Sequence, residues 1–139
     1  MRVVLDTNVF VSGVFFTGPP ATILEAWSQG RISLVISSAI LNEYYRVGRA
    51  LTSRYPGVDL EPALVFLAIH AEIVSAPGLT EAVCEDPDDD KFLACARAGG
   101  ISVVVSGDKH LLRVSGWESV EVLRPRQFVD RYLNTEAQG

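Results

Sequence analysis

The chain has 139 residues, of which 48% are hydrophobic and 21% are charged, and this balance excludes a disordered polypeptide. Its net charge of −5 argues against a uniformly basic surface for nucleic acid, so any function on nucleic acid needs another explanation. Two cysteines and two histidines exclude a plausible zinc site and a disulfide scaffold. Since no apolar run reaches about 20 residues and no signal peptide is recognisable, we expect a cytoplasmic protein without a membrane segment.

Strand and helix signals alternate along the chain. Short apolar segments predict five strands at residues 3–5, 32–36, 72–75, 101–105 and 120–123. Helices are predicted at residues 21–29, 38–51, 60–69, 87–99, 109–112 and 125–133, with an apolar loop at 9–16. This alternation predicts an α/β fold, in which helices cover both faces of a parallel sheet. The length predicts one domain over residues 1–133, followed by a frayed tail at 134–139.

Acidic residues occupy the segments that follow four of the predicted strands. Asp6 comes directly after the first strand, and Asp108 lies just past the fourth. Glu43 lies in the second turn of the helix after the second strand, and an acidic run at residues 86–90 opens the helix after the third. Because helices of right-handed β-α-β units begin near the carboxyl edge of the sheet, we expect these carboxylates to meet at that edge.

The acidic run requires a choice among its members. Asp86 is a typical helix N-cap. At 100° per residue, Asp89 points along the apolar face of the helix, whereas Asp88 and Asp90 lie to either side of it. Favourable interaction with the helix dipole explains Asp86 and Asp88, but it does not explain an acid on the apolar face. Asp89 is therefore the predicted site residue of this run.

Asp6, Glu43, Asp89 and Asp108, the acidic quartet, are difficult to keep ionised together. Two unit charges about 4 Å apart repel by about 4 kcal/mol at an effective dielectric constant near 20, so such a cluster needs cations. Sites with only oxygen ligands select Mg²⁺ or Mn²⁺ over zinc. These ions activate water and neutralise a leaving oxygen, which is the chemistry of phosphodiester cleavage. The alternative for Asp6 is a structural role in a local turn.

Four motifs in this order resemble those of the PIN domain: LDTNV at residues 5–9, NE at 42–43, DPDDDKFL at 86–93 and SGDK at 106–109. The resemblance covers essentially the whole chain and is greatest to the prokaryotic toxin components of toxin–antitoxin systems, the VapC-type ribonucleases. It implies a three-layer α/β/α PIN-like fold with a central parallel sheet of about five strands. It also implies endonucleolytic cleavage of RNA with Mg²⁺ or Mn²⁺, often by a homodimer that a cognate antitoxin protein silences.

Carried over to this chain, the resemblance assigns catalysis and metal binding to the same acidic quartet. Asn8 and Ser106 match polar positions that support the site, although Thr is commoner than Ser at the latter. Asp90 stands where Asn is frequent. For the expected homodimer, the segment 9–16 and the helix from Ala21 are candidate contacts.

Other interpretations remain open from the sequence. A haloacid-dehalogenase-like phosphatase would need a second Asp two residues after Asp6, where this chain has Asn8. A non-catalytic RNA-binding or partner-docking PIN domain would have little reason to keep all four acids. Arg46, Arg49 and Arg54 form either a stripe that follows phosphates or an ordinary solvated helix face.

Overall fold

A five-stranded parallel sheet lies between two layers of helices in the computed structural model, which describes residues 1–134. The strands are β1 (Arg2–Leu5), β2 (Ser33–Ile36), β3 (Glu72–Ile73), β4 (Val103–Val105) and β5 (Glu121–Leu123). Their order in the sheet is β3-β2-β1-β4-β5, and every neighbouring pair is parallel. The predicted three-layer α/β/α architecture is thus confirmed. The tail expected at 134–139 falls, apart from Asn134, outside the described residues.

Seven helices surround this sheet within residues 1–134. They are α1 (Thr7–Phe15), α2 (Pro19–Ser28), α3 (Ser38–Arg54), α4 (Glu61–His70), α5 (Asp90–Gly99), α6 (Lys109–Leu112) and α7 (Pro125–Phe128). Short 3₁₀ turns occur at Pro87–Asp89 and Trp117–Ser119, and a π-helical turn at Val129–Leu133 follows α7. No single helix in this described part is long and apolar enough to cross a membrane, although α1 and α2, bent by 87°, meet the length and composition criteria as a pair.

The centre of the sheet sets the position of the candidate site. Every residue of β4 is buried, as are Val3, Val4 and Leu5 of β1, because helices cover both faces and leave no solvent side. Leu5 is in register with Val105 of β4. The residues after these two strands therefore emerge side by side at the carboxyl edge of the sheet.

The predicted loop at 9–16 is wrong, because most of this segment belongs to α1. Its continuous apolar sequence shows no helical period, and Val and Phe have only modest helix propensity. Burial decides the conformation instead, since α1 packs against both α2 and α3. Phe10, for example, is fully buried and stacks on the ring of Tyr44 with centroids 4.3 Å apart. The apolar residues of this segment are thus largely used within the chain.

Helix α3 runs beside α1 in the same direction. Phe10 meets Tyr44 near the start of both helices, and Phe15 meets Tyr55 at their far ends, with ring centroids 6.2 Å apart. The Ser37 side chain caps α3 by accepting a hydrogen bond from the Ile40 N–H at 3.3 Å. This arrangement starts α3 at the carboxyl edge of the sheet and holds Glu43 near that edge.

Two element boundaries differ from the sequence prediction in ways that affect the site. The third strand has only two residues, and the helix expected from residue 87 begins as the 3₁₀ turn Pro87–Asp89 before α5. The Asp86 side chain still caps this turn, since its Oδ1 accepts a hydrogen bond from the Asp88 N–H at 3.0 Å. Asp89 therefore lies at the junction between the turn and α5.

Candidate active site at the carboxyl edge of the sheet

Asp6 is the most buried member of the acidic quartet, with 5% of its surface exposed. Its backbone N–H donates to the Val105 carbonyl at 2.9 Å and so continues the pairing of β1 with β4. The fully buried Ser106 hydroxyl donates to Asp6 Oδ2 at 2.6 Å. Burial raises the pKa of Asp6, the hydrogen bond from Ser106 lowers it, and the charges of Asp108 and Glu43 raise it further.

Asp108 is linked to Asp6 through Ser106. The Asp108 backbone N–H donates to Ser106 Oγ at 2.9 Å. Asp108 also caps α6, because its Oδ1 accepts a hydrogen bond from the His110 N–H at 2.7 Å. One hydroxyl group thus connects the ends of β1 and β4 and fixes two of the four acids relative to each other.

Asp89 places a carboxylate oxygen in an unusual environment. Its Oδ2 is buried and has no hydrogen-bond partner among the residues that the structure describes. Burial is the largest cause that raises the pKa of Asp89 to about 6, and the charges of Asp108, Asp6 and Asp86 follow. A buried oxygen without a partner is costly, so this group favours either a proton or a cation.

Glu43 approaches the site from α3 but is engaged by a lysine of α5. The Lys91 ammonium forms an ion pair with Glu43 Oε2, and it also lies 3.1 Å from Asp88 Oδ1. The side chains of Lys91 and Glu43 are only 16% and 13% exposed, so this is a largely buried pair. Asp6, Asp108 and Asp89, which follow β1, follow β4 and precede α5, therefore influence one another electrostatically. Glu43 also raises the pKa of Asp6, but its carboxylate is paired with Lys91.

The sequence does not predict the roles of two residues at the site, Lys91 and Tyr44. Lys91 is adjacent to the acidic run, but only the tertiary structure shows that it reaches Glu43. Tyr44 matches the apolar face of α3, so the sequence predicts only a packing role for it. In the structure its hydroxyl also donates a hydrogen bond to the Leu5 carbonyl at 2.6 Å. Through that bond Tyr44 ties α3 to the end of β1, directly beside Glu43 and Asp6 in sequence.

Asp90 and Asn8 contribute differently from the acidic quartet. Asp90 is 8% exposed, and its carboxylate accepts hydrogen bonds from the Cys84 N–H at 2.8 Å and the Val83 N–H at 3.1 Å. It thus holds the loop that precedes the acidic run. Asn8 is exposed, and its backbone N–H lowers the pKa of Asp6.

The donor set fits a hard divalent cation, since it consists of carboxylate oxygens, one of them buried without a partner. No three acidic, histidine or cysteine side chains within residues 1–134 already surround a common point closely enough to hold an ion. Glu43 in particular is turned to Lys91. Binding a cation would therefore require side-chain rotation, with Glu43 released from the ammonium group.

The sheet order and the acids at its carboxyl edge define an α/β protein with an oxygen-rich site of the kind that suits divalent cations. The family model described as PIN domain matches residues 2–110, a range that includes the whole acidic quartet. The chain belongs to the PIN domain family, and the resemblance found in the motifs is confirmed.

Individual relatives agree with this assignment. The uncharacterised protein MJ1680 of Methanocaldococcus jannaschii is 25% identical over 143 residues, which cover 95% of this chain and 92% of the relative. A chain of VapBC2 from Rickettsia felis, in the structure bound to a DNA fragment from their promoter, has a TM-score of 0.58 at 16% identity. A chain of FitAcB from Neisseria gonorrhoeae has the same TM-score at 19% identity. Both structural comparisons, with VapBC2 and with FitAcB, cover 89% of this chain and 98% of the other chain. At these sequence identities they show a shared fold.

Proposed function

We propose that this protein is a metal-dependent endoribonuclease that hydrolyses RNA phosphodiesters with Mg²⁺ or Mn²⁺. The observation that carries the proposal is the buried, unpartnered Oδ2 of Asp89. The charges of Asp6 and Asp108 raise the pKa of this group, so these acids are close enough to repel one another. A cation is the partner that would satisfy the oxygen and remove the repulsion at the same time.

The residues of the site have separable roles in this proposal. Asp6, Asp108, Asp89 and Glu43 would hold the cation, which supplies water activation and neutralises charge on the leaving oxygen. Ser106 keeps Asp6 and Asp108 in a fixed relation through its two hydrogen bonds. Such hydrogen bonds to ligating carboxylates orient them and tune their basicity.

The acidic character of the chain supports a role for cations rather than opposing one for RNA. A net charge of −5 repels phosphate in general. Divalent cations at the acidic quartet would supply positive charge at the one place where the scissile phosphate must lie. The same acids would be a disadvantage in a domain that only binds RNA.

The decisive experiment measures cleavage of a labelled RNA by the whole chain in Mg²⁺, in Mn²⁺ and in excess EDTA. We expect fragments with either metal and none with EDTA, together with a higher melting temperature in metal because a ligand that binds only the native state stabilises it. Undiminished cleavage in EDTA would overturn the proposal. Specific RNA binding without turnover would favour the non-catalytic alternative, and turnover of a phosphomonoester instead of RNA would favour a phosphatase.

We further propose that the protein is the toxin of a toxin–antitoxin pair, with a cognate antitoxin protein as its partner. The motif resemblance to VapC-type ribonucleases and the fold shared with a chain of VapBC2 support this. Expression of the chain alone should arrest growth, and co-expression of a small protein encoded immediately upstream should restore it. Growth that continues during expression of the active nuclease would contradict the toxin role.

A homodimer is also proposed, because a small acidic domain offers little surface for holding RNA. Among the residues expected to form the contact, Val9, Phe10, Val11 and Phe15 are buried within the chain, whereas Phe16 remains exposed. Light scattering at tens of micromolar should give the mass of two chains. A monomer in that range, which corresponds to an association weaker than about 6–7 kcal/mol, would count against the dimer.

A further inference from the structure

We propose that Lys91 is a catalytic residue of the nuclease: when a cation recruits Glu43, the released Lys91 ammonium group binds a non-bridging oxygen of the scissile RNA phosphate. The inference rests on the proposed function for the nature of the substrate. Its own support comes from the place of Lys91 beside the acidic quartet, from its burial and from the partners that remain to it without Glu43.

Lys91 brings a positive charge of the protein itself to the acidic quartet. Its ammonium group pairs with Glu43 Oε2. Burial raises the pKa of Asp6 and the charge of Glu43 adds to this effect, so the pair lies close to the most buried acid of the site. No other Lys or Arg described within residues 1–134 has its charged group within 4.0 Å of a quartet carboxylate. The fold therefore places this one basic side chain beside the proposed cation site.

The burial of Lys91 makes its charge dependent on a partner. Its side chain is 16% exposed, and a buried charge that loses its partner is strongly destabilising. The second partner is Asp88, whose Oδ1 lies 3.1 Å from the ammonium group. The Asp88 side chain is 66% exposed, and ion pairs that face water contribute little. When a cation takes Glu43, the ammonium group is therefore left in need of another anion.

A phosphate group of the substrate supplies that anion. Lysine binds phosphate as a point charge, and its flexible four-carbon chain lets the ammonium group turn from one anion to another. The substrate phosphate would thus take the place of the Glu43 carboxylate as the counter-charge of Lys91. Cation and substrate binding are coupled in this arrangement, because the cation frees the group that contacts the phosphate.

The catalytic consequence is a second positive charge beside the cation. In two-metal sites a second ion helps to stabilise the attacking and leaving oxygens of the displacement. A lysine in contact with the phosphate offers a positive charge of the protein to the negative charge that develops in the transition state. Lys91 should therefore influence kcat more than KM.

The test uses calorimetry on the whole chain with two probes, Mn²⁺ and uridine 5′-monophosphate, which carries a phosphate but no phosphodiester bond. Lys91→Met should bind Mn²⁺ more tightly than the wild type, because Glu43 is already free of the ammonium group. In saturating Mn²⁺ the same variant should bind the nucleotide about tenfold more weakly, because a charged contact to the phosphate is lost. A lysine that only joins α5 to α3 would change both affinities in the same direction, since its loss would disturb the whole site.

Three further variants make the comparison specific. Lys91→Arg keeps the charge and should keep most of the nucleotide affinity. Arg97→Met removes one positive charge from an ion pair with Glu118 further along α5, and both affinities should stay at the wild-type level. Lys91→Met/Glu43→Gln removes both partners of the buried pair, so it tests the inference even if Lys91→Met does not fold. Compared with Glu43→Gln alone, it should bind the nucleotide about tenfold more weakly.

RNA cleavage gives the second readout. Lys91→Met should lower kcat by about 10²–10³, the usual loss when one electrostatic contact to a transition state is removed. Lys91→Arg should restore most of this rate. Equal nucleotide affinity in the wild type and Lys91→Met in saturating Mn²⁺ would overturn the inference. A parallel loss of Mn²⁺ and nucleotide affinity would also overturn it, because Lys91 would then have only a structural role.

These outcomes are distinct from those of the nuclease proposal. If the wild type cuts no RNA in Mn²⁺ but loses nucleotide affinity in Lys91→Met, the proposed activity fails and the phosphate contact of Lys91 remains. If cleavage depends on metal and kcat is unchanged in Lys91→Met, the nuclease remains and Lys91 is not catalytic.

Discussion

Lys91 and Glu43 form an ion pair between α5 and α3 although 48 residues separate them in the sequence. Both side chains are largely buried. Lys91 thus gives one member of the acidic quartet a positive partner that belongs to the protein itself. A divalent cation that recruits Glu43 would have to compete with this ammonium group.

Replacing Lys91 by Met tests that competition. The Glu43 carboxylate would lose its partner, so we expect the free energy of unfolding in EDTA to fall by about 1–3 kcal/mol. Mn²⁺ should then raise the melting temperature more than it does in the wild type, because Glu43 no longer has to leave Lys91. Thermal melts with and without Mn²⁺ measure both effects. Lys91→Arg keeps the charge and serves as the control, and equal Mn²⁺-induced shifts in the wild type and Lys91→Met would rule out competition.

Much of the fold follows from the sequence because its main elements depend on local signals. The buried runs of β1 and β4 lack polar alternation, as expected for strands covered on both sides. Helix α3 carries both its cap at Ser37 and a clear apolar face. Helix α1 lacks such signals: its apolar residues become helical because α2 and α3 cover them, which is a tertiary effect that no local pattern contains.

Some features of the candidate site can likewise be predicted from the sequence, whereas others depend on the tertiary structure. The acids after β1 and β4 could be placed at one edge because strand topology fixes the position of Asp6 and Asp108. The choice of Asp89 by α-helical phase stays a prediction, because the structure has a 3₁₀ turn at this residue. The partners of Lys91 and of the Tyr44 hydroxyl could not be predicted, because each contact joins segments that are far apart in the sequence.

Ser106→Ala should damage both stability and metal binding. The hydroxyl is fully buried and makes two hydrogen bonds, one to Asp6 Oδ2 and one from the Asp108 N–H. Its loss leaves both partners unsatisfied, so we expect a decrease of about 1–3 kcal/mol in the free energy of unfolding and weaker Mn²⁺ binding by calorimetry. Ser106→Thr keeps the hydroxyl and should stay near the wild type in metal affinity. Unchanged metal affinity in Ser106→Ala would show that the hydroxyl does not position the acids.

The raised pKa of Asp89, about 6 in place of 3.8, predicts a pH dependence of stability in EDTA. Between these values the folded protein keeps a proton that the unfolded chain has lost, so stability must fall as the pH rises through this window. Asp89→Asn has no such proton to lose. The melting temperature of this variant relative to the wild type should therefore increase from about pH 4 to about pH 7. A constant difference across that range would mean that Asp89 titrates normally in the folded protein.

Asp89 and Asp90 are neighbours with different surroundings, and their Asn variants should fail in different ways. Asp89→Asn removes a ligand charge from a group of repelling acids, so cleavage should fall by orders of magnitude while the melting temperature in EDTA rises. Asp90→Asn loses one of the two oxygens that accept the Val83 and Cys84 N–H groups. It should cost about 1–2 kcal/mol of unfolding free energy yet retain most cleavage well below its melting temperature.

Cleavage rates and thermal melts on the two variants, with Asp88→Asn as a control of equal charge change, separate these roles. The Asp88 side chain is 66% exposed, so its variant should stay near the wild type in both measurements. If Asp90→Asn were inactive and Asp89→Asn active, the metal ligand would be Asp90 instead of Asp89. That result would disagree with the structural role assigned to Asp90, whose carboxylate accepts hydrogen bonds from its own loop. Full activity in both variants would mean that the start of α5 supplies no ligand, and the acidic quartet would be reduced to Asp6, Glu43 and Asp108.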